Sequence, residues 1–223
     1  MGQTLKVLLV SCNTNQSEPV FPHHPQDLPP DVSFNTLLLT DETFPLRTHA
    51  LSPRLQAKIP KLFPWELTTH PYDLYIWVDA SFQLAPTAVA WLLAELGSHE
   101  FLVFRHPVRS SVAREARHLS QFGSTPYLHS RYEGEWLHEQ MTAYFQDPDF
   151  VDKRLFACGC LVFRPTDPVK ALMKEWWHQI TRYHVNDQLS LPYALTKCPV
   201  DLAVLDLNIY KTPHLLCKRG MTP

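Results

Sequence analysis

Glycine is scarce in this chain, six residues in 223. Neither G-x-G-x-x-G nor G-x-x-x-x-G-K-[ST] occurs in it. Both phosphate cradles need glycines at fixed offsets so that the backbone can approach the ligand. Their absence argues against a dinucleotide-binding or P-loop enzyme. An excess of basic charge is also lacking: 20 Lys and Arg stand against 22 Asp and Glu, with a pI near 6.6. A nucleic-acid partner is therefore not expected, because phosphate-backbone binding needs a clustered basic surface. Long hydrophobic runs are missing too. The first apolar stretch, residues 5–10, is too short for a signal-peptide core or a membrane span. Five cysteines, an odd number without framework spacing, are expected to be reduced thiols in a cytoplasmic protein.

What the chain does have is apolar content, 45% of its residues, enough to bury a sizeable core in one domain over 1–223. Continuous apolar or β-branched runs predict strands over 5–11, 34–40, 72–78, 100–104, 155–164 and 202–207. Residues 13–32, rich in Pro, Asn, Gln and His, read as a long loop. Ser52-Pro53 is a helix start, with Ser as N-cap and Pro at the first helical position. Helices are predicted over 86–96, stopped by Gly97, over 110–119, and over 133–145. Another opens at Asp167-Pro168, where Leu172, Trp176 and Ile180 recur at spacing four. A last helix follows Asn186-Asp187, which supply a cap. Strands thus alternate with helices, which predicts an α/β fold: a mostly parallel sheet with helices on both faces.

In such sheets ligands bind beyond the carboxyl ends of the strands. Asp79 and Ser81 sit just past the most strand-like run and offer oxygen ligands for Mg²⁺ or Mn²⁺. Asp79 has a plainer role open to it as a turn cap. Arg105, His106 and Arg109 follow the next strand, where arginine forks match a diphosphate or an anionic sugar. Alternatively Arg109 pins a helix by pairing with Glu115. Asn13 and Asp41, after the first two strands, are placed to flank the base and ribose of a nucleotide. Cys158-Gly-Cys160 suggests a metal pair, with both thiols on one strand face. No second cysteine pair completes a zinc site, so buried thiols are expected.

The stretch Tyr72–Phe82 (YDLYIWVDASF) resembles the strand and acidic motif of GT-A glycosyltransferases. It is most similar to a glycosyltransferase-like family long catalogued as a domain of unknown function, which includes plant enzymes of mucilage and cell-wall glycan synthesis. That family joins a W-[IV]-D-[AG]-[SK] strand end to an H-P-x-R segment followed by a glutamate, then to a D-Q-x-S segment. Here these are Trp77–Ser81, His106-Pro107-Val108-Arg109 with Arg114-Glu115, and Asp187-Gln188-Leu189-Ser190. The resemblance runs from about Lys58 to Tyr193.

The resemblance implies a GT-A-like, Rossmann-like fold and transfer of a sugar from a nucleotide diphosphate to a glycan or other hydroxyl acceptor. It implies a metal at Asp79, with Ser81 in place of the usual second acid and His214 as a helper near the C-terminus. Lys58 or Lys61 would reach the donor phosphate. Asp187 and Gln188 would contact sugar near the reacting carbon, and Gly159 would belong to a small-residue strand lining the acceptor site. Two other readings stay open: a degenerate GT-A domain that binds without catalysis, favoured by Ser81, and a nucleotidyltransferase. The latter would need paired carboxylates and a glycine-rich first loop.

Overall fold

The computed structural model describes residues 4–15, 22–47, 49–122 and 125–218. Residues 16–21 of the expected loop over 13–32, and the last five residues of the tail, lie outside these. Six strands form the main sheet: β1 (Leu5–Asn13), β2 (Val32–Thr40), β3 (Leu74–Val78), β5 (Phe101–Arg105), β6 (Phe156–Phe163) and β7 (Leu202–Leu205). Their order is β2-β1-β3-β6-β5-β7. The β1–β2, β1–β3 and β5–β7 pairs are parallel, while β6 runs antiparallel to both neighbours. The architecture is the mostly parallel, GT-A-like α/β sheet that the resemblance implies. The one reversed strand could not be read from periodicity, which is the same in either direction.

Alternation along the strands divides the core. Leu8, Val10, Tyr75 and Trp77 pack on one face against α6 (Asp167–Arg182), with Leu172, Met173, Trp176 and Ile180 fully or almost fully buried. Two further helices, α1 (Pro53–Leu62) and α7 (Asp187–Lys197), cover the same face. Val7, Leu9, Ile76 and Val78 face the other way, onto Val89, Leu92 and Leu96 of α2 (Ala88–Leu96). Each such side chain contributes about 1.5–3 kcal/mol by leaving water. The helices α3 (Val112–Phe122), α4 (Pro126–Tyr132) and α5 (Leu137–Gln146) lie between β5 and β6 in sequence.

The helix signals in the sequence are used as expected. Ser52 Oγ accepts the Leu55 N–H at 3.2 Å, and Asn186 Oδ1 accepts that of Gln188 at 3.1 Å. Gly97 closes α2 at a φ of +51°, where a side chain would be strained. Two features were not predicted: α4, although Thr125-Pro126 opens it with the same kind of cap and proline as Ser52-Pro53, and a separate antiparallel pair of β4 (Phe82–Leu84) with β8 (Leu215–Cys217), which has no strong sequence signal.

The cysteine pair on β6 requires a correction. Cys158 packs in the core on one face of the sheet and Cys160 in the core on the other. The cause is a bulge: Val103 is opposite Leu161 but Phe104 is opposite Ala157, so residues 158–160 are extra on β6. An odd insertion reverses the parity of the side chains and re-aims the strand locally. Both thiols are buried, and burial raises their pKa. They are poor metal ligands in that state.

Candidate active site

The β6 bulge has a direct use at the edge of the sheet. Its unpaired carbonyls face the end of β3, where Gly159 accepts the Asp79 N–H at 2.8 Å and Cys158 accepts from Lys61 Nζ at 2.6 Å. The Trp77 indole N–H holds Asp79 Oδ1 at 2.8 Å. The chain then turns, Phe82 N–H bonding back to the Asp79 carbonyl, and enters β4. A Cβ on Gly159 would stand 2.8 Å from Phe82 Cε2 and 3.5 Å from Asp79 Oδ2. Only glycine lets the bulge approach this turn so closely. Ser81 is buried, yet its hydroxyl has no hydrogen-bond partner. Leaving such a group unsatisfied costs about 1–3 kcal/mol. Cost of this kind is expected where a ligand completes the bonding.

Helix α1 presents Lys58 and Lys61 on one face, three residues apart. Both ammonium groups lie 2.6 Å from the same oxygen, Asp187 Oδ2. Lys61 is sealed from solvent and also lies 3.8 Å from Asp79 Oδ1. Burial works against its charge, but the carboxylates of Asp187 and Asp79 outweigh it and hold the Lys61 pKa above the ordinary lysine range. Burial likewise opposes ionisation of Asp187, and the two lysines reverse that, keeping its carboxyl well below the usual range. Asp187 is therefore a fixed anion and a poor proton acceptor. The Trp176 indole donates to the Asp187 carbonyl and to Ser190 Oγ, both at 3.1 Å, so the start of α7 is anchored in the core.

Beyond β5 the chain folds back on itself. His106 Nδ1 receives the backbone N–H groups of Val108, at 3.2 Å, and Arg109, at 2.9 Å. Burial, with Arg109 and His118 nearby, lowers the His106 pKa to about 4. Arg109 Nε donates to Glu115, and Glu115 Oε1 accepts from Asn186 Nδ2 at 3.3 Å. Glu115 is itself buried. Asn186 caps α7, so Glu115 ties Arg109 to the helix start that carries Asp187. Asp152 accepts from the first N–H groups of α3, Val112 and Ala113, and fixes that helix.

These pieces surround one cavity of about 380 Å³ at the carboxyl edge of the parallel strands. Lys58, Asp79, Ser81, His106, Arg109, Gly159, Asp187 and Gln188, all predicted from sequence, border it. Lys61 stands behind them. Arg109 takes the alternative role foreseen for it, pairing with Glu115, while still facing the cavity.

Four sequence predictions do not reach it. Arg105, the last residue of β5, is half-exposed and pairs with Asp206 at 2.9 Å. Asp41 accepts the Asn15 N–H at 2.8 Å outside the cavity. Asn13 is buried at the end of β1 without bordering the cavity, where Cys12 does. His214 stacks on Trp91, centroids 4.3 Å apart, with its Nδ1 3.0 Å from Thr87 Oγ1. The β4–β8 register explains this placement. Ala85 N–H bonds the His214 carbonyl at one end of β4, whereas Lys218 N–H bonds that of Ser81 at the other.

An Asp79–Ser81–His214 triad is thus not assembled, and the described residues hold no group of three or more His, Cys, Asp or Glu arranged for a metal. What remains is Asp79, with one oxygen tied to Trp77, and the unpartnered Ser81 hydroxyl. That set fits a hard cation only if phosphate oxygens and water fill most of its shell, a habit of Mg²⁺. Sequence reasoning missed Arg54, His118, Tyr132 and Tyr210 on the cavity wall. Arg54 had a signal: with Lys58 and Lys61 it forms an i, i+4, i+7 stripe on α1. Tyr210, which stacks on Phe82 from an irregular segment after β7, had none.

The TOD1/MUCI70, glycosyltransferase-like domain family matches residues 47–215. That span holds every cavity residue named above except Cys12. No curated protein matches the chain. Among solved structures, the bifunctional glycosyltransferase WbbM, in its apo form, is 12% identical with a TM-score of 0.46. The match covers 93% of this chain and 39% of WbbM, so the chain spans well under half of that protein. Mouse xyloside xylosyltransferase 1, also apo, is 13% identical with a TM-score of 0.48, over 91% of this chain and 85% of its own.

Proposed function

Because the chain belongs to the TOD1/MUCI70 glycosyltransferase-like domain family, we propose that it transfers a sugar from a nucleotide diphosphate to a glycan or other hydroxyl acceptor. The observation that carries this reading is the buried, unpartnered Ser81 hydroxyl beside Asp79 on the wall of the cavity. Asp79 and Ser81 would hold a Mg²⁺ or Mn²⁺ ion jointly with the donor diphosphate. Such an ion neutralises the charge that develops on a departing diphosphate.

The remaining roles follow from charge and reach. Lys58, at the cavity wall and only partly buried, is placed to exchange Asp187 for a phosphate oxygen. Lys61 is fixed by Asp187 and Cys158, and its charge balances Asp79. Asp187, held ionised, would stabilise positive charge at the reacting carbon rather than take a proton. Gly159 and Gln188 border the space left for the sugar.

The test is a melting-temperature screen of nucleotide diphosphates and nucleotide sugars, with and without Mn²⁺, on wild type and Asp79→Ala. A ligand at a hundred times its Kd adds about 2.7 kcal/mol of stability. One nucleotide should raise Tm in a manganese-dependent way, and Asp79→Ala should abolish that rise. A rise that ignores metal and Asp79 removes the cation from the proposal. No rise with any nucleotide leaves a domain that binds glycan or protein without catalysis.

A further inference from the structure

His106 and Arg109 make an arrangement that the donor site does not use. Two backbone N–H groups point at His106 Nδ1, which leaves no room for a proton there. The neutral ring therefore carries its proton on Nε2. Nε2 lies 3.3 Å from Arg109 Nη2. An arginine has no acceptor, so these are two donors side by side, unable to bond each other. The bond of Arg109 to Glu115 uses Nε and leaves the outer edge of the fork to the cavity, which both residues border. Adjacent N–H donors on a loop held by its own hydrogen bonds, one of them cationic, suit the two oxygens of a carboxylate or phosphate.

The position of the pair separates it from the diphosphate. His106 follows β5 and Asp79 follows β3, with β6 between them. Two strand spacings put roughly 10 Å between those edges. Glu115, which holds Arg109, also holds Asn186, the residue before Asp187. The donor pair is thus tied to the helix start at the reacting centre.

The geometry points to a second oxyanion subsite at His106 and Arg109, which receives a carboxylate or phosphate carried by one of the two reacting sugars. This inference rests on the glycosyltransferase reading and narrows its substrates to acidic sugars. His106 serves there as a fixed donor; its pKa near 4 keeps it neutral under ordinary conditions.

The test is NMR of the ¹⁵N-labelled histidine rings during titration with inorganic phosphate, glucuronate and glucose. His106 should read as the Nε2–H tautomer, and phosphate and glucuronate should shift it saturably while glucose does not. Arg109→Gln should weaken both anions by about tenfold or more. If that variant does not fold, Arg109→Lys keeps the charge beside Glu115 but loses the fork. An unmoved His106, or undiminished anion binding in the folded variant, overturns the subsite. Displacement of glucuronate by a nucleoside diphosphate with Mg²⁺ also overturns it, by assigning the pair to the diphosphate. Displacement only by a whole nucleotide sugar whose sugar is uncharged places the acidic group on the transferred sugar. Glucuronate that stays bound beside that nucleotide sugar places it on the acceptor. A nucleotide-induced rise in Tm in the same samples reports separately on the donor site.

Discussion

Lys61 Nζ lies 2.6 Å from Asp187 Oδ2 in a place where neither side chain has more than slight contact with water. A pair of this kind is a weak source of net stability but a costly one to break, because one charge is then left buried alone. Lys61→Met should destabilise the protein by about 3–5 kcal/mol. Lys58 still neutralises Asp187 in that variant, so the loss should fall at the lower end. Asp187→Asn leaves Lys61 facing Asp79 alone and should cost at least as much. Urea unfolding of both single variants and the double variant measures the coupling. A double-variant cost equal to the sum of the single costs would show that the pair does not act as a unit.

The same charges set the response to pH. Asp187 has a lowered pKa in the folded state, so its contribution is complete above the unfolded value, about 3.9, and is lost as pH falls through the folded value. Lys61 has a raised pKa, so its contribution is complete below about 10.4 and is lost only as pH rises through the higher folded value. Between those limits the pair is silent. His106 and His184 are not: burial, the main cause for each, lowers both pKa values to about 4. At these two sites the unfolded chain binds more protons than the folded one between pH 6.5 and 4, so their contribution to stability is lost as pH falls. Each ring contributes up to about 3 kcal/mol to that loss, the equivalent of its shift. Unfolding curves at pH 7, 5.5 and 4 should show the decline, and His184→Gln should flatten it. A curve level down to pH 4 would mean that both imidazoles accept protons in the fold.

Much of this was legible beforehand, and the reasons are specific. The β3 strand end at Asp79, the α1 start at Ser52 and the Asn186 cap are local signals, each complete within a few residues. Asp79, Ser81, His106 and Arg109 reach the cavity because the rule for strand ends in α/β sheets depends on chain order alone, whereas Lys58, Gly159, Asp187 and Gln188 were carried there by the family resemblance. The failures lie where a long-range fact decides. His214 depends on the register of β8 against β4, which no spacing reveals. Cys158 and Cys160 part company at a bulge whose only sequence mark is Gly159. Arg105 was placed by its position after a strand, but its side chain turns to Asp206 on the neighbouring β7 edge.

Gly159 therefore carries a sharp prediction. Alanine there would put a methyl group 2.8 Å from the Phe82 ring, which is fully buried and stacked on Tyr210. Overpacking of this sort costs about 1–3 kcal/mol. The strain falls between β6 and the Asp79 turn, so donor affinity should drop along with stability. A Tm measured with and without nucleotide and Mn²⁺ separates the two effects. Gly159→Ala with wild-type stability would show that Phe82 yields easily and that the close approach is dispensable.

Ser81 offers the opposite sign. Its hydroxyl is buried without a partner, so in the absence of ligand Ser81→Ala removes an unsatisfied polar group and should be neutral or stabilising, by up to about 1 kcal/mol. With nucleotide and Mn²⁺ present the order should reverse, because the variant loses a ligand to the cation and gains less from binding. Residues that lower stability while awaiting a ligand are a mark of functional sites. Ser81→Asp restores a second carboxylate and should strengthen manganese binding if the cation sits between residues 79 and 81. It should also bring a buried charge that destabilises the metal-free protein. Melting curves of the three proteins, each with and without metal and nucleotide, decide the matter. If Ser81→Ala is destabilised without ligand and unaltered in its response to manganese, the hydroxyl is structural and the cation belongs elsewhere or is not used.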